Sequence, residues 1–152
     1  MIFQISLEGV PPRKSNNRRL VYPGGDMSKK PINIKSKAAE DYRKINIPII
    51  KKKWYDQYDA DEPIQDEVGL LYNCYHKRRD QDLSDELVSD MLQDAGVIED
   101  DKLIKFKILN WELDADYPRC YIALIDLSDI YTETVKFISS IENGAFELGE
   151  TN

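Results

Sequence analysis

A chain of 152 residues, 41% hydrophobic and 32% charged, has the size and composition of one compact domain. Its longest apolar runs, such as Tyr121 to Ile125, fall far short of the ~20 residues that span a bilayer, and Met1 to Leu7 has no basic flank or cleavage site, so a cytoplasmic setting with no membrane partner is expected. Two cysteines, Cys74 and Cys120, are too few for a disulfide framework or a four-ligand zinc site and read as buried thiols in a reducing compartment.

The net charge of −7 would disfavour a nucleic-acid partner if it were evenly spread. It is not. Residues 1–53 hold thirteen Lys/Arg and four Asp/Glu, a surplus of nine positive charges, whereas 54–152 hold eight and twenty-four, a surplus of sixteen negative ones. A basic arm can hold phosphates by displacing their counterions, and an acidic remainder repels DNA except where a divalent cation neutralises it. A highly soluble protein with no charged ligand shows the same polarity, so charge alone does not decide.

Along the chain, Phe3, Ile5 and Leu7 alternate with Gln4 and Ser6, the period of a half-buried strand that ends at Gly9 and Pro11-Pro12. Arg13 to Lys30 is rich in basic, Asn, Gly and Pro residues and reads as an exposed loop turning at Pro23-Gly24-Gly25. Ser36 can cap a helix carrying Tyr42, Ile45, Ile49, Ile50, Trp54 and Tyr58, which Pro48 should kink or divide. Asp56 to Glu67 reads as an acidic linker before a strand over Val68 to His76. From Leu83 a helix carries the apolar stripe Leu87, Val88, Met91, Leu92 and Ala95, with Asp82 or Ser84 as N-cap and Gly96 as its stop. Ile104, Phe106 and Ile108 open a third strand and Cys120 to Leu127 forms a fourth, the two joined as a hairpin across Asp114 to Pro118. A last helix, capped by Ser128, carries Ile130, Thr134, Phe137, Ile138 and Ile141 and ends at Asn143-Gly144, leaving a frayed acidic tail.

The chemistry-bearing residues gather around the second helix. Asp80 and Asp82 stand where a strand hands over to it, and Glu99-Asp100-Asp101 where the chain leaves it for the next strand, so two carboxylate groups can meet at one sheet edge. Carboxylates brought together either raise one another's pKa or recruit a hard cation, and Mg2+ suits both oxygen ligands and phosphate substrates. In a chain with 28 acids such a pair also arises by chance, and Asp82 can serve as no more than a cap. A calcium-binding loop is excluded, since Asp85 would stand where Gly is needed and Met91 where a bidentate Glu is needed.

Arg78-Arg79-Asp80-Gln81-Asp82, then Asp90-Met91-Leu92, then Ala95-Gly96-Val97-Ile98-Glu99-Asp100-Asp101 resembles the signature of the RusA-type Holliday-junction resolvases. Pro11-Pro12, Ser15-Asn16-Asn17-Arg18 and Ser36 to Arg43 are also similar to that family, so the resemblance covers most of residues 1–127. It implies an α+β single domain, a mixed β-sheet with flanking helices, spanning 1–143. Residues 128–143 form an added C-terminal helix, and 144–152 are the tail. It also implies a homodimeric nuclease, bacterial or phage-borne, that resolves four-way DNA junctions with Mg2+ or Mn2+. Asp80, Asp82 and Asp101 would bind the metal catalytically, with Asp100 as auxiliary.

The sequence departs from the family at Leu83 and Glu86, where the family has Asn and Lys. Glu86, one helical turn from Asp82, is then either a further metal ligand or the trace of lost catalysis in a member that only binds branched DNA or a protein partner. Lys77 or Lys102 could supply the missing cation, although both suit an ordinary surface equally. The expected DNA contacts are Arg13, Lys14, Asn16, Asn17, Arg18 and Arg19 in the basic loop and Lys77, Arg78 and Arg79 beside the carboxylates. Lys51-Lys52-Lys53 reads as a solvated helix face, His76 as strand-end packing, Trp54 and Trp111 as core, and Asp114 and Asp116 as turn residues.

Overall fold

A computed structural model describes residues 1–12, 18–58, 62–78 and 83–143. In chain order its elements are β1 (Phe3–Glu8), β2 (Arg18–Val21), β3 (Ile32–Lys35), α1 (Lys37–Tyr58), β4 (Val68–His76), α2 (Glu86–Asp94), β5 (Ile104–Leu113), β6 (Arg119–Asp126) and α3 (Ile130–Glu142). The domain is α+β, with one mixed sheet in the order β1-β6-β4-β5 and a separate ribbon of β2 and β3.

The sheet is organised around β4. Its sequence, VGLLYNCYH, is buried at every position but Tyr75. A strand buried on both faces belongs inside a sheet, where neighbours satisfy its N–H and C=O groups on both sides. β6 pairs with it antiparallel and β5 parallel. The expected β5–β6 hairpin is therefore corrected: β4 lies between the two, and residues 114–118 cross over its end, where the Asp114 N–H donates to the His76 carbonyl at 2.9 Å. The turn is held by the Asp114 carboxylate, which accepts from the Tyr117 N–H at 3.0 Å and pairs with Arg119 at 2.6 Å.

Alternate residues feed two cores. Phe3, Ile5, Leu7, Leu70, Tyr72 and Ile122 face α1 and α2, meeting Ile50, Trp54, Val88, Met91 and Leu92. Leu71, Tyr121, Ala123 and Ile125 face the other way, under Phe137 of α3. The period-two reading of β1 and the apolar stripe of α2 thus have their expected outcomes. Among the described residues no helix is long and apolar enough to cross a membrane.

Several local expectations are corrected. The basic loop contains β2 and β3, which pair antiparallel from Arg18 opposite Lys35 to Val21 opposite Ile32. Pro48 does not divide α1, which is capped as expected by Ser36. The proline is exposed, so the carbonyl that loses its N–H partner is left to water. On the same helix Ile45 is 62% exposed, and the buried row is Ala39, Asn46, Ile50 and Trp54.

α2 begins at Glu86 with Asp85 rather than Ser84 at the N-cap position, where it makes no side-chain cap hydrogen bond, and the other expected cap, Asp82, lies outside the described residues. Its end is as expected: Gly96 takes φ +75°, and the Val97 N–H closes onto Leu92 O at 3.0 Å. Before α3 the expected cap Ser128 lies inside a 3-10 turn, Leu127–Asp129, which the Asp126 carboxylate caps by accepting from the Ser128 N–H at 2.7 Å. Residues 144–152, including Gly144, lie outside the described residues.

Gly69 sits at a register shift between β4 and β5, and a Cβ there would meet Ile125 Cγ1 at 2.9 Å and Phe106 Cδ1 at 3.2 Å. Gly69→Val should therefore overpack the core and cost about 1–3 kcal/mol in denaturant unfolding. Unchanged stability would contradict this packing.

Candidate active site

The parallel β4–β5 pair needs a crossover, and α2 supplies it. The signature residues lie on the two legs of that crossover. The outgoing leg leaves β4 through Lys77 and Arg78, both exposed, and continues through Arg79, Asp80, Gln81 and Asp82, which lie outside the described residues. The returning leg is Glu99-Asp100-Asp101, which enters β5 through a 3-10 turn over Asp101–Leu103.

Strand register shows what this can bring together. Val68 pairs with Ile104 and His76 with Leu113, so Arg78 and Asp101 stand at opposite ends of the strand pair, roughly 30 Å apart at about 3.3 Å per residue. The strand ends do not themselves bring the two groups to one edge. The N-cap of α2 does come back: Asp85 pairs with Lys107, which lies opposite Leu70, near the end of β5 that follows Asp101.

The returning leg is firmly placed. Ile64 and Ile98 form a parallel bridge, with Ile64 N–H on Val97 O at 2.9 Å and Glu99 N–H on Ile64 O at 3.0 Å. The presumed linker thus contributes an anchor immediately before the acids. The Asp101 N–H donates to Gln93 Oε1 at 3.1 Å, tying this turn to the last turn of α2. Asp100 accepts from the Lys102 N–H at 2.9 Å and has Lys102 Nζ at 3.8 Å. That backbone hydrogen bond is the main reason the Asp100 carboxyl lies below the usual aspartate range, with a hydrogen bond to Asp101 also lowering it.

Glu86 is half-buried at the other end of α2, about 10 Å from Gln93 along the axis at about 1.5 Å per residue. It is not adjacent to Asp101. Adjacent, all-oxygen and solvent-facing, Asp100 and Asp101 fit a hard divalent cation by their chemistry. Among the described residues no three His, Cys, Asp or Glu side chains form a group that could hold a metal.

Of the expected DNA contacts, Arg19 is exposed on β2, and Arg18 begins that strand. Arg13, Lys14, Asn16 and Asn17 lie outside the described residues. Lys51, Lys52 and Lys53 are exposed along α1, as expected. His76 is buried at the strand end, edge-on to Trp111 at 6.1 Å. Trp54 is core, against Phe3 and Tyr58, whereas Trp111 is 42% exposed on the edge strand β5.

Sequence reasoning missed the cations that fix α2. Lys107, Lys35 and Arg43 pair with Asp85, Asp90 and Asp94 respectively. The signal was Asp90 and Asp94, one turn apart on the same side of the helix. It also missed Arg119, whose guanidinium lies 3.9 Å over the Tyr75 ring.

No protein-family model matches the chain, and no curated protein matches it in sequence.

Because the folded Asp100 pKa is depressed, its contribution to stability is complete above the unfolded value of about 3.9 and is lost as pH falls through the folded value. Carboxyl-carbon NMR titration should show Asp100 inflecting below about 3.9. An inflection at or above that value would contradict the capping geometry.

Proposed function

We propose that the protein is a divalent-metal-dependent endonuclease selective for branched DNA, a resolvase of four-way junctions resembling the RusA type. The observation that supports this reading is the placing of Asp100 and Asp101 side by side at the entry to β5, with Asp80 and Asp82 in the sequence between β4 and α2. Asp80, Asp82 and Asp101 hold the cation, with Asp100 beside them. A bound Mg2+ or Mn2+ supplies Lewis-acid stabilisation of the charge that develops on a phosphoryl oxygen.

The chain's own residues do the rest. Lys77, Arg78 and Arg79 hold the phosphates flanking the scissile bond, and the Gln93 contact fixes the backbone from which Asp101 projects. Two like strands must be cut to resolve a junction, which a symmetric homodimer accomplishes with two-fold related sites. The working compartment is the cytoplasm of a bacterial host.

Glu86 favours a second reading. It replaces the lysine of the resembled family and lies a helix length from Asp101, which fits a member that binds branched DNA without cutting it.

Labelled four-way junction and duplex DNA, incubated with and without Mg2+, test both readings. The nuclease reading predicts Mg2+-dependent cutting of the junction in preference to duplex, abolished in Asp80→Asn, Asp82→Asn and Asp101→Asn while each variant retains its fold by circular dichroism. Junction binding with no cutting under any metal supports the second reading. Cutting at wild-type rates in the three variants would refute the metal assignment.

A further inference from the structure

β2 and β3 hydrogen-bond to each other and to no other strand among the described residues, forming a two-stranded ribbon outside the main sheet. Its tip is ordered by its own bonds. The turn Pro23–Gly25 closes with Gly25 N–H on Tyr22 O at 2.9 Å. Asp26 then accepts from the Ser28 N–H at 3.0 Å and the Ser28 hydroxyl at 2.6 Å, and the Lys29 N–H closes onto Asp26 O at 3.1 Å.

Ordering a turn costs backbone entropy, normally offset by burial. Here little is buried: residues 24–33 are all exposed, with Leu20 at 66%, Met27 at 78% and Ile32 at 53%. Arg19, Lys29 and Lys30 are exposed among these apolar side chains and make no ion pair among the described residues. The root is different. Lys35 is paired with Asp90 on α2, one turn beyond Glu86, so the ribbon is fastened to the helix that carries the candidate active site.

A pre-ordered ribbon with apolar side chains set among cations that are unpaired among the described residues selects a partner that is polyanionic outside and apolar within its grooves. Duplex DNA has that chemistry, and its major groove, about 12 Å wide, admits a two-stranded ribbon. Leu, Ile and Met are side chains that wedge against base steps when a protein grips bent or branched DNA.

Resting on the nuclease reading, we infer that the β2–β3 ribbon is a DNA-gripping arm, with Arg19, Lys29 and Lys30 on phosphates and Leu20, Met27 and Ile32 against sugars and bases.

The test is fluorescence anisotropy of a labelled four-way junction over a salt series, with three proteins. These are the wild type, a cation variant (Arg19→Ala, Lys29→Ala, Lys30→Ala) and an apolar variant (Leu20→Ser, Met27→Ser, Ile32→Ser). Both variants should melt as the wild type does, and Met27→Ser alone, at the tip, serves in place of the apolar triple if that one does not. The cation variant should bind with a log–log salt slope shallower by ~0.9 for each lost phosphate contact. The apolar variant should bind at least about tenfold more weakly with its slope unchanged. Wild-type affinity and slope in both variants would overturn the ribbon's role and leave the nuclease reading standing. A wild type that binds no DNA at any salt, as expected if the ribbon docks an acidic protein instead, would overturn both.

Discussion

The burial of β4 on both faces is the constraint from which the rest of the architecture follows. A nine-residue strand with only Tyr75 partly exposed cannot lie at an edge, so it recruits β6 on one side and β5 on the other. The β5 pairing is parallel, and a parallel neighbour cannot be reached by a short turn. The chain must travel back the length of the sheet, which α2 and its two legs accomplish. Asp100 and Asp101 lie on the returning leg, so their position follows from how the central strand acquires its second neighbour.

The crossover is secured by charge as well as by its apolar stripe. Lys107, Lys35 and Arg43 reach Asp85, Asp90 and Asp94 from β5, β3 and α1, so one helix is clamped by three separate elements. These side chains are partly exposed, and each pair is worth at most about 1 kcal/mol. Their larger effect is on the distribution of charge. Two of these cations come from the basic first third of the chain, so part of its surplus is spent internally on the acidic remainder. What projects outward from that third includes Arg19, Lys29, Lys30 and the lysine row of α1.

Much of this was legible in sequence because it depends on local periodicity. Val68–His76 is apolar or aromatic but for Asn73 and His76, β1 alternates with period two, and α2 shows a helical stripe stopped by Gly96. The partner of each strand was not legible. β5 and β6 are adjacent in sequence with turn residues between them, and only the demand of β4 for two neighbours separates them in space. The start of α2 after Asp85 was missed because Asp82, Ser84 and Asp85 are all capping types, and sequence alone does not choose among them. Of the site, the presence of Asp100 and Asp101 at a strand entry was readable. The anchoring of that entry by Ile64 and Gln93 was not, since both contacts join segments distant in sequence or separated by a helix end.

In the proposed nuclease, both legs of the α2 crossover contribute carboxylates to one cation site. Backbone amide NMR during a Mn2+ titration addresses it directly, because paramagnetic broadening marks only residues near the bound ion. Signals at 80–83 and at 100–102 should broaden together at the lowest Mn2+ additions, and Asp101→Asn should abolish the broadening at both legs. Broadening confined to one leg, or spread evenly over the acidic surface, would contradict it.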